Sequence, residues 1–436
     1  MGNVRRFLRL GGACVALVAP AACGTGEGIA PSPAQPNHAT SLLARRGPAS
    51  GPVLQTLWNF TGAADGADPI GGVIADAAGN LYGGTIAGGP VGYGTIFEIA
   101  GSGPRYLERT LVTFTGPNGN SAVGSLAHSS SGELYGVTTW GGRYGYGTAF
   151  RVSTKPPFAE SVIWSFGGNR NDGGNPEGGL VLDDKGALYG VTASGGINGD
   201  GIVFKLIPSG SGYIEAILHQ FGGVGDGKYP DALLTLRPGG VIYGTAGGGG
   251  TGCSHGCGMV FELIPSGPRY DDRILYQFKG FSDGSGPSSA VTFDSKGAMY
   301  GVTEYGGGTE CADGYGCGTL YKLTPSASDY HERVLWSFGR GTDGYYPTSN
   351  VLLGRKGALY GTAWQGGAHY GGTVYELVPK GFNYSESVLV NFTNENGSGY
   401  DPEGNLVMDG HGRIYGTCYA GGNAAFGGGT VFGLTP

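Results

Sequence analysis

An all-β ring of repeated sheets, a seven-bladed β-propeller, is the fold this sequence predicts, on three observations. A tripeptide centred on tyrosine recurs at Tyr82, Tyr135, Tyr189, Tyr243, Tyr300, Tyr360 and Tyr415, each time after Leu, Ile or Met and before Gly. Every repeat holds four short apolar runs parted by strong turn signals, and none reads as a helix. One further run, "VLQTLWNF" at 53–60, precedes the first tyrosine and has no counterpart after the last. Four-stranded repeats of this length are the signature of propeller blades, whereas the coils of a parallel β-helix are much shorter.

Within a repeat, the first strand is a short apolar run such as "GGLVLD" or "AVTFD", opened by an Asp-Gly-x-x-Pro turn. A tight glycine turn leads to the second strand, which carries the tyrosine. The tyrosines are spaced by 53, 54, 54, 57, 60 and 55 residues. A glycine-rich loop follows, then the third strand: "GTIF" at 94, "GTAF" at 147, "GIVF" at 201, "GMVF" at 258, "GTLY" at 318, "GTVY" at 372 and "GTVF" at 429. The fourth strand ends in phenylalanine, at Phe60, Phe114, Phe166, Phe221, Phe278, Phe338 and Phe392. Strands of five to seven residues are expected, covered on both faces by neighbouring blades. The glycine after each tyrosine is expected to make room for a side chain of the adjoining blade. Because the first Phe-ending run lacks a repeat of its own, it is predicted to complete the last blade. That closure removes the exposed strand edges an open ring would leave.

Glycine and proline, 93 and 24 of 436 residues, would signal disorder in an aperiodic chain; here the period assigns them to turns. Residues 1–23 read as an export signal, with Arg5, Arg6 and Arg9 ahead of a short apolar stretch. Arg5-Arg6-Phe7-Leu8 also has a twin-arginine look. Two endings stay open: Ala19-Pro20-Ala21 offers a peptidase site, while Ala21-Ala22-Cys23-Gly24 resembles a lipobox with Pro20 where leucine is usual, which would make Cys23 a lipidation site. Residues 24–50 have the composition of a flexible tether, and 51–436 form the propeller. Beyond residue 50 stand 21 basic and 32 acidic residues, a formal charge of −11. That sign argues against a nucleic-acid partner and against docking of the folded part on anionic lipid, leaving the membrane accessible only through an N-terminal lipid. A monomer is expected.

The repeated Leu-Tyr-Gly-(Thr/Val)-Thr, Gly-Gly and Gly-Thr-Val-Phe-x-Leu words resemble the GloVer tandem repeat of exported, surface-anchored bacterial proteins, the choice-of-anchor type. The resemblance covers residues 53–436. It implies an envelope location and a repeat scaffold, and brings no catalytic residues to carry over. Relatives with a C-terminal sorting signal differ from this chain, so the expected anchor is the N-terminal one.

In a propeller the loops between second and third strands share one face with the connections between blades. There the sequence places Trp140, Tyr144, Tyr305, Trp364, Tyr370 and Tyr345, with Tyr93, Tyr146, Tyr229, Tyr315 and Tyr346 in the same loops. Rigid rings on a stiff scaffold suit stacking on sugar or gripping a peptide; the plainer reading is that they cap loop ends. The expected partner is an extracellular polysaccharide or protein. Asp65, Asp172, Asp226, Asp283 and Asp343, with Asn118 and Asn396, recur in the turns between blades. A side chain capping its own turn accounts for them, and one carboxylate per turn falls short of a calcium shell, so no metal and no cofactor is expected. Cys253 with Cys257 and Cys311 with Cys317 sit inside single loops and are expected as local disulfides; zinc, with His255 as a further ligand, is the competing reading. Cys418 is expected to be buried. No serine-elbow, zincin or phosphate-loop motif occurs. An axial lyase or hydrolase site, with His369 and Glu304 as the pair to test, and a structural biofilm component remain as alternatives to a binding scaffold.

Overall fold

The computed structural model describes residues 51–436 apart from 103–104, 224, 254–255, 309–310, 312–313, 328, 394–396 and 424–426. Seven four-strand units follow one another, each antiparallel with neighbours in chain order. Blade 2 serves as the type, with Asn120–His128, Glu133–Trp140, Thr148–Ser153 and Glu160–Ser165 from the inside outward. Short β-branched and aromatic runs between glycine turns give this result directly. Strands run from two to nine residues rather than five to seven, and the only helical turns among the described residues are the 3₁₀ pieces Pro238–Gly240 and Arg355–Gly357. The inner strands depart most from the expected length. In blades 3, 5 and 6 each is split, as in Gly173–Pro176 followed by Val181–Leu182.

At the axis the inner strands converge until backbones touch. A Cβ on Gly71 would lie 2.1 Å from the Gly124 carbonyl oxygen, and one on Gly124 would lie 2.3 Å from the Gly179 nitrogen. The same place in the other repeats is held by Gly178, Ala232, Ser289, Ser349 and Gly404, all small.

The ring closes as the unpaired run requires. Val53–Asn59 pairs antiparallel with Thr430–Thr435, from Val53 opposite Thr435 to Asn59 opposite Thr430, and forms the outer strand of blade 7.

Seams between blades are aromatic. The glycine after each tyrosine does make room, but for a ring of its own blade. Gly136 stands opposite Phe150 across the ladder, and a Cβ there would lie 2.5 Å from the tip of that ring. The ring so admitted reaches the terminal phenylalanine of the preceding blade. Phe60–Phe97, Phe114–Phe150, Phe166–Phe204, Phe221–Phe261, Phe278–Tyr321, Phe338–Tyr375 and Phe392–Phe432 have centroids 4.9–5.3 Å apart in edge or tilted contact. Such pairs contribute about 0.5–1.5 kcal/mol each beyond area burial. One such pair stands at each of the seven seams.

The motif tyrosines are structural. Tyr82, Tyr189, Tyr300 and Tyr415 donate to Asp76, Asp183, Asp294 and Asp409 of the tight turn six residues back, at 3.1–3.2 Å. Those aspartates in turn accept backbone N–H groups of the same turn and are held below the usual carboxylate range at Asp76, Asp294 and Asp409 by these hydrogen bonds, against the opposing pull of burial.

Candidate aromatic site on the loop face

The loops between second and third strands touch the connections between blades, which puts both on one face. Gly142 donates to the Gly116 carbonyl, Gly196 to Asp172 and Gly367 to Asp343. The turn aspartates cap these connections from within: Asp65 accepts the Thr61 N–H, Asp172 that of Gly168 and Asp283 that of Lys279, at 2.8–2.9 Å. Asn118 does the same work for Thr115 N–H at 2.8 Å. Asn396 lies outside the described residues.

At the mouth of the axis one position per blade adopts the left-handed conformation: Asp68, Ser121, Asn175, Tyr229, Gly286, Tyr346 and Asp401, with φ between 55° and 65°. Each donates its N–H to a loop carbonyl of the preceding blade, those of Gly428, Tyr93, Tyr146, Asp200, Cys257, Cys317 and Gly371, at 2.8–3.0 Å. The hydrogen bond explains the conformation; it does not explain tyrosine there, because bulky residues at positive φ carry a cost on the order of 1–3 kcal/mol. Asp68 is pushed up to about 6 by burial.

Around Tyr346 the rings gather. It is only 7% exposed, and its centroid lies 5.1 Å from Tyr345, 5.6 Å from Tyr305 and 5.6 Å from Trp364. Tyr305 also meets Tyr315 at 6.2 Å and donates its hydroxyl to Glu304 at 2.9 Å. Burial, and then the nearby Tyr370 hydroxyl, raise Tyr345. Tyr370 is 77% exposed and has φ 59°. In the other six repeats its place is taken by Gly92, Gly145, Gly199, Gly256, Gly316 and Gly427, all at positive φ.

Of the six aromatics singled out in the sequence, Tyr305, Tyr345, Trp364 and Tyr370 therefore come together across the junction of blades 5 and 6. Trp140 and Tyr144 do not join them; they lie in blade 2, where the Arg143 guanidinium covers the Tyr144 ring at 5.5 Å. Tyr346, the hub, stands among the loop aromatics the sequence places on this face but outside the six foremost ones. Its signal was the Tyr-Pro step at 346–347, which by local sterics reads as extended backbone and conceals the left-handed turn.

Disulfides join Cys253 to Cys257 and Cys311 to Cys317. Their sulfurs are spent on each other, which displaces the zinc reading; His255 lies outside the described residues. The carbonyls of Cys257 and Cys317 are the acceptors for the left-handed Gly286 and Tyr346, and the second bridge encloses Tyr315. So a covalently closed loop positions the hub ring. Cys418 is buried, and burial drives its thiol pKa far up. Among the described residues no helix is long and apolar enough to cross a membrane. The two bridges point to an oxidising compartment. Cys23 lies outside the described residues.

A family model described as the Gloeobacter/Verrucomicrobia repeat matches residues 46–256 and again 240–436. No curated protein matches this sequence. Among solved structures, the chain is similar to a gluconolactonase from Xanthomonas campestris at 13% identity and TM-score 0.41, covering 72% of this chain and 86% of that one. A Bacteroides uniformis protein provisionally named a 6-phosphogluconolactonase gives 14% and 0.45 over 80% and 89%. A Thermus thermophilus protein provisionally named a glucose dehydrogenase gives 12% and 0.44 over 88% and 100%.

Proposed function

This chain belongs to the Gloeobacter/Verrucomicrobia repeat family, and from that premise we propose that it is an exported propeller scaffold that binds an extracellular polysaccharide on its loop face. The observation that carries this reading is the ring group Tyr305, Tyr345, Tyr346, Trp364 and Tyr370 at blades 5 and 6. Strained backbone at Tyr346 and Tyr370 persists where glycine would relieve it, and strain kept in this way marks sites of use. A buried hub flanked by the half-buried Tyr305, Tyr345 and Trp364 and the exposed Tyr370 offers flat apolar faces to sugar C–H groups, while the tyrosine hydroxyls and Glu304 offer polar partners to sugar hydroxyls. Export is supported by the basic and apolar N-terminal stretch and by the two disulfides. Cys23 is the residue that would carry a lipid and hold the scaffold at the envelope.

A glycan array probed with the full chain tests the binding reading. Retention of one polysaccharide class, lost in Trp364→Ala and kept in Trp140→Ala, is the expected result. No retained glycan, or equal retention by both variants, would remove it. Labelling of the expressed chain with a fatty-acid analogue, absent in Cys23→Ala, tests the anchor.

A further inference from the structure

We propose that two seams of the ring are each closed by a carboxyl–carboxylate pair sharing one proton, Asp172–Glu215 and Asp343–Glu386, which makes the propeller tighter in mild acid than in alkali. In blades 1–6 an acid stands six residues ahead of the terminal phenylalanine of the outer strand: Glu108, Glu160, Glu215, Asp272, Glu332 and Glu386. Glu215 and Glu386 stand against Asp172 and Asp343, the turn aspartates of the connections leading into their own blades, and each of these aspartates is more than nine-tenths buried. One carboxylate oxygen of each aspartate is already engaged from the preceding outer strand or the turn. The Trp336 indole donates to Asp343 at 3.2 Å and the Gly168 N–H to Asp172 at 2.8 Å. Buried oxygens are left without a donor on both sides of these two pairs, Asp172 Oδ1 with Glu215 Oε1 and Asp343 Oδ1 with Glu386 Oε1, whereas at the seams of Glu160 and Glu332 only the glutamate Oε1 lacks one.

Two buried carboxylates side by side cannot both keep their charge, so a proton between them supplies the missing donor. The repeats contain their own controls. Where the turn residue is Asn118, its amide donates to Glu160 at 3.4 Å, and where the outer strand offers His219, it meets Asp226 at 3.2 Å. A donor is thus built in at the seams into blades 2 and 4, which lack the pair.

Burial, more than the partner's charge, pushes Glu215 to about 8 and Glu386 to about 7; Asp343 is itself raised to about 6 by burial. Of the other groups facing these pairs, Arg340 draws Asp343 down, and the buried Tyr375 hydroxyl lies near Glu386. Folded-state values lie above the unfolded ones. The pairs therefore stabilise fully below the unfolded carboxyl range, and that stability is lost as pH rises through about 7 to 8.

Unfolding of the full chain in denaturant, followed from about pH 5 to about pH 8.5, tests this. The folded-to-unfolded ratio is expected to fall about tenfold per pH unit for each pair that titrates. Glu215→Gln should remove one such increment, and Glu215→Gln combined with Glu386→Gln should remove both. A flat wild-type profile, or equal slopes in wild type and Glu215→Gln, would overturn the proposal. If the double variant does not fold, the infrared carbonyl band of protonated carboxyls at neutral pH, reduced in Glu215→Gln, decides instead; its absence in wild type counts against the pairs. Calcium that restores stability at alkaline pH in wild type but not in the Gln variants would also overturn it, by showing that the pairs take a cation.

Discussion

Blades 2 and 5 spend their loops between second and third strands on the same kind of residue and obtain opposite results. In blade 2 the loop carries Tyr144 and Tyr146, and the left-handed residue it receives from blade 3 is Asn175. That asparagine is tied on both sides, donating to the Thr139 carbonyl at 3.2 Å and accepting from Ser194 at 2.7 Å, and the aromatics around it stay apart. In blade 5 the loop is closed by the Cys311–Cys317 bridge, and the residue received from blade 6 is Tyr346, whose ring joins three others. The backbone hydrogen bond is the same in both, 2.8 Å against 2.9 Å. Architecture is therefore held constant by the repeat, and the site arises from one side chain at a strained position together with one covalent clamp.

The comparison breaks first if the scaffold is not constant. Phe150→Ala and Tyr375→Ala each empty a fully buried seam, and each should cost about 3–5 kcal/mol in denaturant unfolding. Unequal losses, well outside one another's range, would mean the seams are not equivalent. Next comes binding: Trp364→Ala should weaken polysaccharide affinity at least about tenfold in calorimetric titration, while Trp140→Ala leaves it unchanged. The clamp is smaller in effect. Replacing Cys311 and Cys317 by serine should cost about 2 kcal/mol and lower affinity, whereas the same change at Cys253 and Cys257 should cost a similar amount and leave affinity intact, since that loop holds Gly286.

Much of the fold was legible because repetition amplifies weak signals. The run at 53–60 had no partner in sequence, and an unpaired strand edge is costly enough that its place beside Thr430–Thr435 followed. Cysteines inside single loops gave their pairing by proximity. The aromatics of the site were also readable, but not their grouping, because Tyr346 and Trp364 meet only through a left-handed turn that the Tyr-Pro step hides. The acid pairs stayed invisible for a related reason. Glu215 and Asp172 stand 43 residues apart, and the sequence does not say which outer-strand residue faces the turn. The glycine after each tyrosine was read correctly as a space and wrongly as to its occupant, since cross-strand register in a blade places Phe150 opposite Gly136 before any neighbour can reach it.

Tyr370 offers the most direct test, because stability and binding there should move in opposite directions. Glycine occupies its place in the other six repeats, so Tyr370→Gly is expected to relieve strain and stabilise the chain by about 1 kcal/mol. Measured on the same preparation, its affinity for the polysaccharide retained by wild type should fall. A variant that is more stable and binds as wild type does would contradict the account, as would one that loses stability.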